Sequence, residues 1–390
     1  MPHFYARKID NLSYPISKDG FIFALCASNI KHSDESLILV RYARQSLLLT
    51  RQNKEKGVLV KYNRHLQCHQ IDVAKRALQV YMGLGNADIL SHNLNQKRHN
   101  VGLSDKAYLL PPTKEHITRL YRRASRFEIE IGFGSGRHLL YQAVQNKSTT
   151  FLGIEIYRPS IEQVLHQIDL LGIDNVYIIH ADCRILFSIL DLHVADAVYL
   201  HFPVPWDKNP QKRVFSKVFL EECQRVLKKG AFLELRSDSE TYIAYALEIA
   251  RDFSAFDIEK SLNAEAKIIS KYEARWHRQQ KDIYEVRFTL RDSKDCANNV
   301  ESRIDIYRLD MAKILDSGSL KLFGEGYFLH IKNIYRFEGG YLLFVLFGAF
   351  YAPSKIYLLL DNYGNVEVLG DIINTEANAK SLRLIQRWSK

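Results

Sequence analysis

Phe127-Glu128-Ile129-Glu130-Ile131-Gly132-Phe133-Gly134-Ser135-Gly136-Arg137-His138 is the stretch that decides the fold. Its first residues alternate apolar with acidic, the period of a β-strand. Glycines then stand at every second position, and Leu139-Leu140-Tyr141-Gln142-Ala143-Val144 carries an apolar pattern that suits a helix. Strand, glycine turn and helix form the entry unit of a nucleotide-binding α/β domain, where glycine lets the backbone turn tightly and approach a ligand closely. Glycine turns also serve plain structural ends. The ligand reading gains from Phe151-Leu152-Gly153-Ile154-Glu155, a second buried-looking strand. It ends in a carboxylate about 20 residues on, where a ribose hydroxyl pair would be held. That spacing favours a ligand role for Glu155 over a solvated strand end.

The turn departs from the dinucleotide form: its spacing is G-x-G-x-G, with Glu130 two residues before Gly132. S-adenosylmethionine has no pyrophosphate to seat on a helix N-terminus, and an acidic group suits its cationic methionine end by charge complementarity. The pattern resembles class I methyltransferases more than dehydrogenases.

At 390 residues the chain allows two to three domains, each with ample core. A net charge of +10 and a pI near 9.1 favour an anionic partner, nucleic acid before an anionic membrane surface. Cys26, Cys68, Cys183, Cys223 and Cys296 are scattered and form no C-x-x-C pair. They read as reduced thiols in a cytoplasmic protein, with no zinc or other metal site and no disulfide framework. The N-terminal residues Met1 to Lys8 are no secretory signal, and the longest apolar run, near Tyr341 to Ala352, is too short to span a bilayer.

Upstream of the glycine turn the chain reads as β-rich, with strands at Gly20–Leu25, Ser36–Val40 and Val58–Tyr62 and helical spacing over Asp72–Met82. It carries no chemical motif and reads as a small scaffold. After Pro111-Pro112, Thr113 caps an expected helix running to Arg126, whose Arg119, Arg122, Arg123 and Arg126 form either a solvated or a phosphate-facing side. Beyond Glu155 the alternation is βαβα. Pro159–Leu171 is a helix closed by Gly172, and Asn175–His180 a strand followed by Ala181-Asp182-Cys183. Asp182 either meets an adenine amino group or caps the next helix. Asp196–Leu200 runs into His201-Phe202-Pro203-Val204-Pro205-Trp206-Asp207-Lys208-Asn209-Pro210-Gln211-Lys212-Arg213. Ligands of open α/β sheets bind beyond the carboxyl ends of strands, and an aromatic ring among cations suits a base and its phosphates. A fifth strand, Ala231–Arg236, leads to Ser237-Asp238, where Asp238 is a second strand-end carboxylate or an N-cap. Residues 300–372 read as strands and glycine turns, closed by a basic helix.

Glu130 to Gly136, Gly153-Ile154-Glu155, Phe202-Pro203-x-Pro205-Trp206-x-Lys208, Ser237-Asp238 and Ser270-Lys271-Tyr272-Glu273 together resemble the bacterial tRNA (guanine-N7-)-methyltransferase family, over roughly residues 115 to 292. The proline–tryptophan loop and the Lys-Tyr-Glu segment are specific to that family; the glycine turn is not. The resemblance implies a Rossmann-like α/β domain with a mixed seven-stranded sheet and helices on both faces. It also implies methyl transfer from S-adenosylmethionine to N7 of a guanine (guanine-46) in the tRNA variable loop, by a cytoplasmic, RNA-binding enzyme. Glu130, Glu155 and Asp182 would bind the cofactor, with Gly132, Gly134 and Gly136 shaping its pocket. Lys208, Asp238, Ser270, Lys271 and Glu273 would face the substrate, Asp238 and Glu273 carrying catalysis. The expected domains are 1–110, β-rich; 111–295, the methyltransferase; and 296–390, a small β domain with a terminal helix. The flanking segments make this a long variant.

One departure stands out. The family loop reads Phe-Pro-Asp-Pro-Trp, and Val204 occupies the Asp position. Serine also replaces the usual threonine at Ser237 and Ser270. Guanine N7 carries an in-plane lone pair and no proton at neutral pH, so attack on a sulfonium methyl requires no base. The competing reading is a nucleic-acid-binding protein that kept the fold and lost turnover.

Overall fold

Residues 126–131 do form a strand, buried from Phe127 onward, and the chain leaves it through three glycines with positive φ. The structure, a computed structural model, describes residues 1–43, 45–66, 71–95, 107–264, 281–292 and 306–389. It divides into two units. One is Asn100–Val300 with Ile373–Thr375; the other is Met1–His99 with Glu301–Ile372 and Glu376–Lys390. Among the described residues no helix is long and apolar enough to cross a membrane.

In the first unit the strands are β1 (Leu109–Leu110), β2 (Arg126–Ile131), β3 (Thr149–Glu155), β4 (Val176–His180), β5 (Ala195–His201), β6 (Leu227–Ser237), β7 (Phe256–Leu262) and β8 (Tyr284–Leu290). They form one sheet in the order β7-β8-β6-β5-β2-β3-β4-β1. β8 runs antiparallel to both β6 and β7, and the remaining neighbours are parallel. This is the mixed sheet expected of a class I methyltransferase, with eight strands rather than seven. The extra strand is β1, whose two residues pair with Ile178 and Ile179; a segment so short has no periodicity to read. Strand order reverses at β2, between β3 and β5. The loops leaving β2 and β5 therefore diverge and open a crevice at the carboxyl edge.

Among the described residues the helices are α1 (Lys114–Tyr121), α2 (Arg137–Gln145), α3 (Arg158–Leu171), α4 (Cys183–Leu186), α5 (Lys217–Val226) and α6 (Glu240–Ala250). Thr113 caps α1 as expected, accepting from the His116 N–H. The helix stops at Tyr121 instead of continuing to Arg126. Arg126 opens β2 opposite Thr149, and the Asp196 carboxylate accepts the Phe127 N–H at 2.8 Å, so ladder bonds override helical spacing there. That boundary decides where the basic side lies. Arg119, Arg122, Arg123 and Arg126 lie toward the amino end of β2, about 17 Å of strand away from the glycine turn at ~3.3 Å per residue.

The sheet has two chemically distinct faces. Ile129, Ile131, Val198, Leu200, Leu233, Leu235, Val286 and Phe288 share one core with Phe219 and Leu220 of α5 and Tyr242 and Ile243 of α6. On the opposite face α2 and α3 pack on Phe151, Val176 and Ile178. The same face of β2, β5, β6 and β8 carries Glu128, Glu130, Tyr199, His201, Glu234, Arg236 and Arg287, by the two-residue period of a strand.

The second unit is a twelve-stranded sheet whose pairings are all antiparallel. Phe21–Asn29, Glu35–Tyr42, Gln45–Lys54 and Gly57–Tyr62 form a meander. Tyr335–Asn29 and Arg336–Ser28 pairs join it to Tyr327–Phe337, Gly340–Ala349 and Ala352–Asp361. The segments expected as separate N- and C-terminal domains thus share one sheet. Leu25 and Leu39 pack in one cluster with Tyr335, Leu342 and Tyr357, and the buried Asn63 amide donates to the Tyr357 hydroxyl at 3.1 Å.

Candidate functional site

The glycine turn after β2 is an open cradle. Gly132, Gly134 and Gly136 have φ of +66°, +52° and +71°, the left-handed region that side chains disfavour. A Cβ on Gly132 would meet nothing within 4 Å, and one on Gly134 only the Gly132 carbonyl at 4.0 Å. Gly136 differs: its Cβ would lie 2.4 Å from Val164, so this glycine lets α2 settle on α3. At the end of β3, Glu155 accepts N–H bonds from Gly134 (3.1 Å), Ile156 (2.8 Å) and Tyr157 (2.9 Å). A carboxylate has about four acceptor sites, so Glu155 both fixes the turn and keeps capacity for a ligand hydroxyl. Open backbone and a strand-end carboxylate fit an adenosine-type cofactor.

Beside the cradle lies a buried ionic network. Cross-strand register aligns Glu130, Tyr199, Glu234 and Arg287 in one row. Glu128 accepts from Tyr199 Oη (3.0 Å) and pairs with Arg126 (2.6 Å). Glu130 is bound at 2.8 Å by His138 Nδ1, from the first turn of α2. The Gln142 amide donates to His138 Nε2 at 3.2 Å, its oxygen being used by Asn146. That leaves the proton of neutral His138 on Nδ1, aimed at Glu130. The His138 ring packs edge-on against Tyr199 and His201, at 4.8 and 4.6 Å. His201 Nε2 donates to Glu234 at 3.0 Å, and Arg287 binds the other Glu234 oxygen at 2.7 Å.

Burial disfavours charge throughout this network, and partners restore it selectively. Burial lifts the Glu234 carboxyl, yet His201 and Arg287 outweigh it and hold the pKa at about 2. Burial lowers the pKa of His138, but the Glu130 carboxylate reverses this and leaves it raised. His201 stays lowered, by burial first and then by charge on His138, against the Glu234 hydrogen bond. Glu130, His138 and His201 each place one possible metal-ligating atom within 4.8 Å of the others. Glu130 and His138 already bond to each other and His201 to Glu234, so the cluster is first a hydrogen-bond network.

Other expected residues fare differently. Asp182 caps α4 through the Arg184 N–H at 3.0 Å and also pairs with the Arg184 guanidinium at 2.6 Å; the capping alternative is realised. Asp238 is not a cap. Ser239 caps α6, accepting from the Tyr242 N–H, while Asp238 accepts from Lys281 Nζ at 3.1 Å. Ser270, Lys271 and Glu273 lie outside the described residues.

The loop after β5 is held in a strained shape, with positive φ at Phe202 (+51°) and Trp206 (+46°). Phe202 N–H donates to the Arg236 carbonyl at 2.7 Å, and Arg213 Nε to the Pro205 carbonyl at 2.6 Å. Arg213 is buried, lying 4.4 Å over the Tyr245 ring. It therefore staples the loop and is unavailable to a phosphate. Lys208 is exposed, and Lys212 lies 5.0 Å over the exposed Trp206 ring. Val204 is 60 % exposed, so its side chain is not a core residue.

Residues 125–286 match a family model described as "Putative methyltransferase". A tRNA (guanine-N(7)-)-methyltransferase of Helicobacter hepaticus is 37 % identical over 375 residues, covering 94 % of this chain and 93 % of the relative. One of Campylobacter jejuni (serotype O:23/36) is 35 % identical over 370 residues, covering 93 % and 92 %. One of Wolinella succinogenes is 32 % identical over 399 residues, covering all of both chains. The similarity extends through both flanking β segments, as expected for a long variant. A sheet of this order and a cradle of this shape agree with that match, and the chain belongs to the tRNA (guanine-N(7)-)-methyltransferase family.

Proposed function

We propose that the protein methylates N7 of a tRNA guanine, guanine-46 of the variable loop, using S-adenosylmethionine, in the cytoplasm. The observation that carries this reading is the open glycine cradle between two buried carboxylates, Glu130 and Glu155, at the carboxyl edge of the sheet. Glu155 would accept a ribose hydroxyl. Glu130, oriented by His138, would face the cationic methionine end, and Asp182 would reach the adenine amino group in competition with Arg184. When bound, S-adenosylmethionine supplies an electrophilic methyl group on sulfur.

On the guanine side the residues are Lys208, Asp238, Ser270, Lys271 and Glu273. The N7 lone pair needs no general base, so these groups have two tasks. One is alignment: holding N7 in line with the methyl carbon and sulfur removes much of the entropic barrier. The other is electrostatic: attack leaves positive charge on the purine, which a fixed carboxylate stabilises. Asp238, anchored by Lys281, and Glu273 are assigned that second task, which explains how Val204 can stand where the family has Asp. Val204 is also the observation that favours the alternative, a tRNA-binding protein without turnover.

Methyl transfer from labelled S-adenosylmethionine to an unmodified tRNA transcript separates the two. The expected product is N7-methylguanosine at the variable-loop guanine. Binding of both ligands without transfer would establish the alternative.

A further inference from the structure

Three aromatic rings of the β unit stand in a ladder at its surface. Strand Lys321–Gly324 pairs with Tyr327–Phe337, which pairs with Gly340–Ala349 and through it with Ala352–Asp361. Phe350, in the turn between the last two strands, lies nearly parallel to Phe328 (5.3 Å, 12°) and to Phe323 (6.3 Å, 18°). Phe323 is 64 % exposed and Phe350 54 %, so core packing does not account for them. Rings in mutual contact form a contiguous apolar patch rather than scattered single residues.

The surroundings say what kind. Register puts Lys321, His330, Leu346 and Lys355 in one row across the sheet. Lys321 shares a face with Phe323, and His330 with Phe328, by the two-residue period. His65 stacks on Phe344 of the same face at 4.9 Å. Burial lowers the His65 pKa, and Lys355, Arg64 and Lys332 lower it further, to about 4. His330 is lowered likewise by burial, Lys321, Lys332 and Lys31. Burial and the neighbouring cations thus both disfavour charge on these two imidazoles. Acidic residues are sparse here: Lys321–Phe337 contains only Glu325, at the hairpin turn, and residues 340–360 contain none. Among the described residues neither Lys321 nor Lys332 pairs with a carboxylate.

We propose that this face is a second RNA-binding surface, where unpaired bases of the tRNA stack on Phe323 and Phe350 while Lys321, Lys332 and Lys355 hold their phosphates. Charge complementarity selects a polyanion, and the parallel ladder selects one with flat, unpaired rings; a duplex offers only phosphates and edges. The proposal rests on tRNA being the substrate.

The test uses the full chain and fluorescence anisotropy with an unmodified tRNA transcript. It compares wild type with Phe323→Ala/Phe350→Ala and with Lys321→Gln/Lys332→Gln, each checked for unchanged melting temperature. The aromatic pair should weaken tRNA binding by about tenfold or more, the loss expected when stacked bases lose their aromatic platforms. The same loss should appear in KM for tRNA, with kcat and S-adenosylmethionine affinity unchanged. The lysine pair should lower the log–log salt slope by roughly 1.5. Unchanged tRNA affinity in both variants would overturn the proposal. So would loss of a dimer in the aromatic variant with tRNA affinity intact, which would assign the patch to a second copy of the chain. A tRNA affinity that falls in the variants while wild type transfers no methyl group would uphold this surface and sink the enzyme reading; active wild type with insensitive variants would do the reverse.

Discussion

Along β2, Ile129 and Ile131 enter the core shared with α5 and α6, while the alternate residues Glu128 and Glu130 enter the ionic network with Tyr199 and His138. The same alternation recurs in β5, β6 and β8, where Leu200, Leu235 and Phe288 oppose His201, Glu234 and Arg287. One face is held by apolar burial. The other buries charges that are costly unless each has a partner, and apolar packing there would be as stable or more so. The difference teaches where stability and where chemistry are kept: the sheet accepts a demanding polar face at the edge that opens on the cradle, and an apolar face behind it.

That contrast can be broken. Phe288→Ala on the apolar face should destabilise the protein by about 3–5 kcal/mol, as cavity-forming Phe→Ala changes do. Denaturant unfolding reads this, and S-adenosylmethionine affinity of the folded protein should not move. If affinity fell with stability, the two faces would not be separable. At the carboxyl edge the sign pattern reverses: Asp238→Ala should cut turnover by roughly a hundred- to a thousandfold, by analogy with other lost transition-state electrostatic partners, and barely move the unfolding midpoint. Val204→Asp should be tolerated. Steady-state kinetics with both variants would expose an error in the assigned roles if Asp238 proved dispensable.

Smaller effects sharpen the comparison. Glu155→Ala removes an acceptor of charge-assisted hydrogen bonds, about 1.5–3 kcal/mol each, so calorimetry should show cofactor binding weakened at least about tenfold. The Glu130–His138 pair makes a pH-dependent contribution. A histidine with a raised folded pKa adds stability that is fully present below its ordinary value of about 6.5 and fades as pH rises through the folded value. The stability gap between wild type and His138→Gln should therefore be widest below about pH 6.5 and narrow above it; a gap that widens with pH would contradict the raised pKa of His138.

The glycine turn, β3 and the proline–tryptophan loop were legible because each is local: a few residues fix its backbone. The network was not, although His138 stands in the decisive stretch and His201 opens the loop. Its meaning depends on which strands lie side by side, and Glu130, Tyr199, Glu234 and Arg287 meet only through β2-β5-β6-β8 pairing. The basic helix misled for the opposite reason. Its charge pattern is local, but its position is not: α1 precedes β2 and so falls at the amino edge. The flanking sheet was illegible as one body because its seam joins distant segments, Tyr335 Oη donating to Glu35 across 300 residues at 2.8 Å.

The central claim is that the site delivers a methyl group to guanine N7. It is tested most directly with a tRNA in which 7-deazaguanine replaces the acceptor guanine, removing the N7 lone pair and little else. Wild-type protein should bind this tRNA as it binds the natural one and transfer no methyl group to that base, while the unsubstituted tRNA is methylated. Methylation of the 7-deazaguanine residue, or of the same base at any other atom, would contradict the account.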